Sequence, residues 1–256
     1  MIKVVFFDVD GTLVPYGSKR VAISAREAIA KLQEKGIRCV VATGRDYGVF
    51  KTLPAGDIPF DGYITLNGQM GRDKDGQMLF GMPLTGKARD FLLRAFREHH
   101  FPALLIQQDR AYMNYIDEQV EGLQATIGTP IPPVEEYTGG DVYQICAYIA
   151  ERQEEVLAEI WDECVVTGWI AGGVDIVEKG GGKVTGIQRY LDLYGIRPEE
   201  TMAIGDGVND MQMLQFCGVG IAMGNSLDEV KECADYVTGN ADADGISDAL
   251  KHYQLI

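Results

Sequence analysis

Along this chain, short runs of consecutive apolar residues alternate with stretches in which apolar residues recur every three or four positions. Val4-Val5-Phe6-Phe7 is the first run, β-branched and aromatic throughout, and predicts a short strand buried on both faces, as in the middle of a parallel sheet. Ala25, Ala28, Ile29 and Leu32 then follow at helical spacing behind Ser24-Ala25-Arg26-Glu27, which has capping-box form, and Gly36 stops that helix. Arg38-Cys39-Val40-Val41-Ala42 is the next buried run, so the opening reads as a right-handed βαβ unit. A short helix over residues 46–53 leads to a third strand over residues 63–66. The same alternation returns after residue 180. There the pattern predicts a helix over residues 184–194 with Ile187, Tyr190, Leu191 and Tyr194 on one face, a strand over 201–204, a helix starting near Asn209, and a strand over 219–223. A second capping box, Ser226 to Glu229, opens a helix to about residue 234; Tyr236-Val237 and a helix over about 246–253 close the chain.

Between these halves the periodicity changes. Residues 70–80 read as a hairpin turning at Asp75-Gly76, and Pro83 marks a boundary. An amphipathic helix over 87–99, with Phe91, Leu92, Ala95 and Phe96 inward, precedes strands over 103–106 and 112–116 and a helix over 118–127. A proline-rich connection, a strand over 142–149, a helix over 151–164 and strands over 165–171 and 174–178 complete the segment. Helices mixed with hairpin-linked strands suggest an antiparallel α+β module. The expected fold class is therefore α/β, with a Rossmann-like parallel-sheet core formed by residues 1–82 and 181–256 and an α+β domain of residues 83–180 inserted into it.

Composition narrows the function more than the fold. The 256 residues carry a formal charge of −15, which repels phosphate backbones and anionic headgroups over long range, so neither nucleic acid nor a membrane is an expected partner. No apolar run approaches the roughly 18 residues that span a bilayer. Five cysteines, widely spaced and without a Cys-x-x-Cys pair, suggest neither a disulfide framework nor a zinc site and point to a reducing compartment. With no signal peptide in evidence, the expected location is the cytoplasm and the expected state a monomer or weak homodimer.

The chemistry sits at the ends of the predicted strands. The first strand runs into Asp8-Val9-Asp10-Gly11-Thr12, and a carboxylate is too costly to bury in a sheet unpaired, so Asp8 and Asp10 belong in the loop at the strand's carboxyl end. Open α/β sheets bind ligands there. The second strand ends in Thr43-Gly44-Arg45, the third in Asn67-Gly68, and the strand over 201–204 in Gly205-Asp206-Gly207-Val208-Asn209-Asp210; Gly180-Gly181-Gly182-Lys183 opens a helix. Each group has an ordinary reading: Asp206 and Asp210 as helix caps, Thr43 as a partner for a backbone amide, Lys183 as a solvated cation. Their joint occurrence in this order points to one site.

These motifs resemble the four signature motifs of the haloacid dehalogenase superfamily. With Ala42-Thr43-Gly44-Arg45, Asn67-Gly68, Gly182-Lys183 and Ala222-Met223-Gly224-Asn225 they look like its Cof-type phosphatases, which carry a large α/β cap between the second and third motifs. The resemblance implies a phosphatase for small phosphomonoesters, sugar phosphates or phosphorylated cofactors, working through an aspartyl-phosphate. Asp8 would be the nucleophile and Asp10 the general acid and base. Asp8, Asp206 and the backbone carbonyl of Asp10 would hold Mg²⁺, with Asp210 behind them. Thr43, Gly44, Lys183 and Asn209 would hold the phosphoryl group, Asn209 alternatively holding Lys183. Arg45 and Asn67 are candidates for the substrate cavity from the core, as are Tyr112, Asn114, Gln144, Trp169 and Asp175 from the cap. Asp10 and Asp206 argue against a metal-free dehalogenase. A phosphomutase and a non-catalytic protein that binds phosphorylated metabolites stay open at this point.

Overall fold

A computed structural model describes residues 1–127, 129–149, 152–169 and 172–256. In chain order it contains β1 (Val4–Phe7), α1 (Ile23–Glu34), β2 (Arg38–Ala42), α2 (Tyr47–Thr52), β3 (Gly62–Thr65), β4 (Met70–Asp73) and β5 (Met78–Gly81). Then come α3 (Gly86–Arg97), β6 (Ala103–Ile106), β7 (Ala111–Met113), α4 (Glu118–Ile127), β8 (Gln144–Ala147), α5 (Gln153–Val156), β9 (Cys164–Gly168) and β10 (Val174–Glu178). The chain returns through α6 (Lys183–Tyr194), β11 (Thr201–Gly205), α7 (Met211–Phe216), β12 (Val219–Ala222), α8 (Asp228–Glu232), β13 (Tyr236–Val237) and α9 (Gly245–His252). It divides into two compact units, Met1–Phe80 with Lys183–Ile256, and Gly81–Gly182.

The first unit is built on an eight-stranded sheet in the order β13-β12-β11-β1-β2-β3-β4-β5. The strands from β13 to β3 are parallel, and β4 adds antiparallel to β3. Successive side chains of a strand point to opposite faces, and here both faces are covered. Val5, Phe7, Cys39, Val41, Met202 and Ile204 pack with residues of α1, α2 and α9. Val4, Phe6, Val40, Ala42 and Ala203 pack with Ile187, Tyr190 and Leu191 of α6, Met213 and Leu214 of α7 and Val230 of α8. That two-sided burial is why the strands read as continuous apolar runs rather than alternating ones.

The second unit carries a five-stranded antiparallel sheet, β7-β6-β8-β10-β9. One face, with Ala103, Leu105, Ile145, Ala147, Val174 and Ile176, packs on Leu92, Ala95 and Phe96 of α3. Met113 and Tyr148, on the other, meet Val120 and Leu123 of α4.

Several local expectations fail for identifiable reasons. The Ser24 box is not formed: Val21 is buried in the core and pulls the chain in early, so α1 starts at Ile23 with Ala22 as its uncapped N-cap. Nor does Ser226 cap α8, which starts after Leu227; its amide closes a turn on the Met223 carbonyl instead. The helix expected over 151–164 is reduced to α5 and a 3₁₀ segment, Ala158–Glu163, because Leu157 and Ile160 turn into the core and Cys164 joins the β9–β10 ladder. Its first position, Glu151, and the last two of the strand expected over 165–171 lie outside the described residues.

The strand expected over 112–116 stops at Met113 because Asn114 closes the chain on itself. Its side-chain oxygen accepts from the amides of Ala103 (2.8 Å) and Tyr115 (2.9 Å), and its amide donates to the carbonyls of Phe101 (2.9 Å) and Phe96 (3.2 Å). Asn114 is thus a buried brace for α3 and β6, with its polar groups spent on backbone. Asn114→Ala leaves buried backbone groups unpaired and is expected to destabilise the protein by about 2–4 kcal/mol. A shift of the urea midpoint at unchanged slope measures this, and a shift within error of zero contradicts it.

Candidate active site

The site forms where the sheet's connections change direction. From β1 the chain crosses through α1 to β2 on one side, whereas β11, on the other side of β1, is reached by α6 on the opposite face. Such a switch point leaves a crevice beyond the carboxyl ends of the two central strands. Asp8 directly follows β1 and Asp206 directly follows β11, with the Asp8 amide donating to the Ile204 carbonyl at 2.9 Å. Asp210 folds back toward them: its Oδ2 accepts from the amides of Asp206 (3.0 Å) and Gly207 (2.9 Å). A Cβ on Gly205 would lie 2.6 Å from the Asp210 Cγ, so only glycine lets that carboxylate lie against the strand end. Oxygens of Asp8, Asp206 and Asp210 all come within 4.8 Å of one another, and all three residues are buried.

Lys183, the first residue of α6, is 3% exposed. Its Nζ donates to Asp8 Oδ1 at 2.7 Å and to Asp210 Oδ1 at 2.5 Å, leaving one ammonium proton uncommitted. Lys183 is therefore held by Asp210 rather than by Asn209. The Asn209 side chain is exposed and reaches Asn67 instead, Nδ2 to Oδ1 at 3.5 Å.

Asp206 is gripped from the first loop. Thr12 Oγ1 donates to its Oδ1 at 3.1 Å, Asn225 Nδ2 approaches Oδ2 at 3.4 Å, and the edge of the Tyr16 ring lies close to the same carboxylate. Gly11, at φ +84°, makes this possible: a side chain there would strike both Asp206 and the Tyr16 ring. Tyr16 carried no signal in the sequence; Asn225 did, in its Met-Gly-Asn context, without a role attached.

The Asp10 side chain stands apart from the carboxylate cluster. It forms a two-pronged ion pair with Arg45, Nε to Oδ2 at 2.6 Å and Nη2 to Oδ1 at 2.9 Å, so Arg45 is engaged by Asp10. Thr43 is buried; its Oγ1 accepts from the Arg45 amide at 3.2 Å, and its hydroxyl proton remains to donate. Gly44 faces the Asn67 carboxamide closely, at 3.0 Å from a hypothetical Cβ. Leu66 and Asn67 both take positive φ, 54° and 51°, a strained pair that carries the Asn67 side chain to this edge. In the second unit Tyr112 is a core residue bonded to Gln107, Trp169 packs edge-on against Tyr148, and Gln144 and Asp175 are buried on the sheet.

Charge in this crevice does not balance. Three carboxylates less one ammonium leave two negative charges, since Asp10 and Arg45 neutralise each other. Burial, then the neighbouring Asp210, pushes Asp8 well above the ordinary carboxylate range despite Lys183. Burial and Asp210 likewise raise Asp206 to about 6, against the lowering effect of Thr12 and Tyr16. Burial alone would strip the proton from Lys183, but the two carboxylates outweigh it and hold it as the cation. A hard divalent ion fits this donor set, which is all oxygen, and would cancel the remaining charge.

A parallel sheet that gathers acidic oxygens, one buried lysine and a spare hydroxyl at its switch point defines a hydrolase built to handle an anionic ester. The chain matches the family model for haloacid dehalogenase-like hydrolases over residues 5–250, and it belongs to that family. It is 30% identical over 258 residues to the phosphatase-named YkrA of Bacillus subtilis, covering 99% of this chain and 98% of that one. It is 28% identical to the 5-amino-6-(5-phospho-D-ribitylamino)uracil phosphatase YitU of the same organism, covering 96% and 95%. The solved sugar phosphatase BT4131, of subclass IIB, superposes with a TM-score of 0.86 at 32% identity over 99% of this chain and 100% of that one. The protein is accordingly a phosphoric monoester hydrolase. Among the described residues no helix is long and apolar enough to cross a membrane.

Because the folded state raises Asp206 from 3.8 to about 6, it binds more protons than the unfolded chain between those values. Without a cation, stability therefore falls as pH rises from about 4 through 6 and stays lower above that. Asp206→Asn removes this penalty and is expected to gain ~1–3 kcal/mol over the cation-free wild type at pH 7.5 and almost nothing at pH 4. Calorimetric melts at the two pH values test this; a variant less stable than wild type at pH 7.5 contradicts it.

Proposed function

We propose that the protein hydrolyses small phosphomonoesters with Mg²⁺ through an aspartyl-phosphate on Asp8. The observation that carries this reading is the buried cluster of three carboxylates, Asp8, Asp206 and Asp210, around the single ammonium of Lys183. Asp8, Asp206 and the backbone carbonyl of Asp10 would hold the ion, with Asp210 fixing Asp206 through its loop amides. When bound, the ion shields the substrate's charge from Asp8 and polarises a phosphoryl oxygen.

Everything else falls to the chain's own side chains. Asp8 attacks phosphorus in line as the ester oxygen departs, which splits one hard hydrolysis into two easier displacements. Lys183 keeps Asp8 aimed and offers its third proton to a phosphoryl oxygen, alongside the Thr43 hydroxyl, the Gly44 amide and Asn209. Asp10 protonates the leaving alkoxide and then takes a proton from the water that attacks the aspartyl-phosphate, returning the carboxylate and releasing phosphate. Arg45 orients Asp10 for both transfers. The unit Gly81–Gly182 serves as the cap that chooses the leaving group, a role consistent with its insertion between the second and third motifs. BT4131 is a sugar phosphatase and YitU acts on a ribityl phosphate, and both substrates are phosphate esters of a polyhydroxylated chain or ring. A sugar phosphate or ribityl-type phosphate is therefore the favoured substrate class. A phosphomutase would hand the phosphoryl group to a second sugar hydroxyl rather than to water.

Purified protein is expected to release inorganic phosphate from a panel of phosphorylated metabolites only with a divalent ion, and Asp8→Asn to lose essentially all turnover while melting normally. Transfer to sugar without phosphate release would support the mutase, and appreciable turnover by Asp8→Asn would refute the nucleophile. Arg45→Ala is expected to slow turnover about 10- to 100-fold on alkyl phosphates, whose alkoxide needs a proton, and far less on p-nitrophenyl phosphate, whose phenolate does not. Equal losses on both would show that Arg45 does not act through Asp10.

A further inference from the structure

Three distant segments of the first unit meet at one exposed side chain, Asn225, in the loop that follows β12. Its Nδ2 donates to the Gly11 carbonyl at 2.9 Å and approaches Asp206 Oδ2 at 3.4 Å, while its Oδ1 accepts from the Ala241 amide at 2.8 Å. The bond to Ala241 fixes which way the carboxamide faces, because only its oxygen can accept from a backbone N–H. Both amide protons are thereby turned toward Gly11 and Asp206.

The base from which this side chain reaches is rigid. The Gly224 amide donates to the Gly239 carbonyl at 3.0 Å, and a Cβ on Gly224 would lie 2.5 Å from the Asn240 side chain and 2.9 Å from the Thr238 carbonyl. Ala241 is buried in the core with Ile246, Ala249 and Leu250 of α9. At the other end, two of the three ligands proposed for the ion lie within reach of one carboxamide. The Asp206 carboxylate is approached directly, and the Asp10 carbonyl stands one peptide before the Gly11 carbonyl that Asn225 holds. These two segments already touch, since a Cβ on Gly11 would lie 2.2 Å from Asp206 Oδ2. An exposed side chain contributes little to the core, so packing does not account for this convergence.

We infer that Asn225 is a positioning residue of the cation site: its carboxamide ties the Gly11 loop and the Asp206 carboxylate to the Ala241 segment, and so sets how tightly a divalent ion is held. The inference rests on the cation site proposed at Asp8, Asp206 and the Asp10 carbonyl. Ligands whose orientation is fixed in advance lose less conformational freedom when the ion arrives, which raises affinity without adding a contact to the ion. Such coupling is reciprocal. Whatever factor the Asn225 contacts add to ion affinity, the ion adds to the stability of those contacts.

The test is Mn²⁺ titration by isothermal calorimetry on the full chain as wild type, Asn225→Ala and Asp206→Asn, each checked for a cooperative melt, together with hydrogen exchange of the Ala241 amide in wild type with and without Mg²⁺. Asn225→Ala is expected to bind Mn²⁺ about five- to twentyfold more weakly than wild type. By reciprocity, saturating Mg²⁺ is expected to slow exchange at Ala241 in wild type by a similar factor. Asp206→Asn, which loses a ligand outright, is expected to bind more weakly still. A folded Asn225→Ala that melts earlier yet binds Mn²⁺ as wild type does would make Asn225 a brace alone, overturning the inference while leaving the cation site intact. Should Asn225→Ala not fold, the wild-type exchange decides: slowing at Ala241 supports the inference, and a rate unmoved by Mg²⁺ overturns it. Undiminished binding by Asp206→Asn overturns the cation site itself, and the inference with it.

Discussion

The Lys183 ammonium between Asp8 and Asp210 is the contact on which the rest of the site depends. A lysine this deeply buried would ordinarily give up its charge; the two carboxylates hold it as the cation, and it in turn offsets part of the cost of burying them side by side. With all three carboxylates ionised the arrangement falls short of neutrality, because Asp206 brings a third carboxylate and among the described residues no second cation is bonded within the cluster. That shortfall is what the proposed dication would offset, and the ion would in turn let a dianionic ester approach a carboxylate.

The fold supplies the parts of this contact from places far apart in sequence. β1 delivers Asp8, β11 delivers Asp206 and the turn that carries Asp210, and α6 delivers Lys183 because Ile187, Tyr190 and Leu191 press the helix onto the sheet face opposite α1. The insertion Gly81–Gly182 leaves the first unit after Phe80 and rejoins it at Lys183, so the helix that carries the lysine is also the point of return from the second unit. Asp10 and Arg45 form a separate neutral pair apart from this cluster.

Much of this was legible in the sequence, for physical reasons. Strands buried on both faces leave continuous apolar runs, and Arg38–Ala42 was readable to the residue on that basis. Costly carboxylates at the ends of such runs mark the catalytic edge, which is why Asp8 and Asp206 stood out. What could not be read was partner choice. Arg45 read as a candidate for the substrate cavity, and only the fold shows it bonded to Asp10. Asn114 read as a candidate for the substrate cavity, yet four backbone groups claim it. Capping boxes at Ser24 and Ser226 satisfied a local rule that tertiary burial of Val21 and the turn at Met223 overrode. Tyr16 lay in a loop with no periodicity, and its approach to a residue 190 positions away has no local signature.

The central claim, that three acidic side chains and one lysine form a receptacle for a single dication, is most directly tested by anomalous diffraction from crystals grown with Mn²⁺. One strong anomalous peak within coordination distance of both Asp8 and Asp206, with Lys183 still bonded to Asp8 and Asp210, is the predicted result. A peak elsewhere, or no peak at an ion concentration that supports turnover, contradicts it.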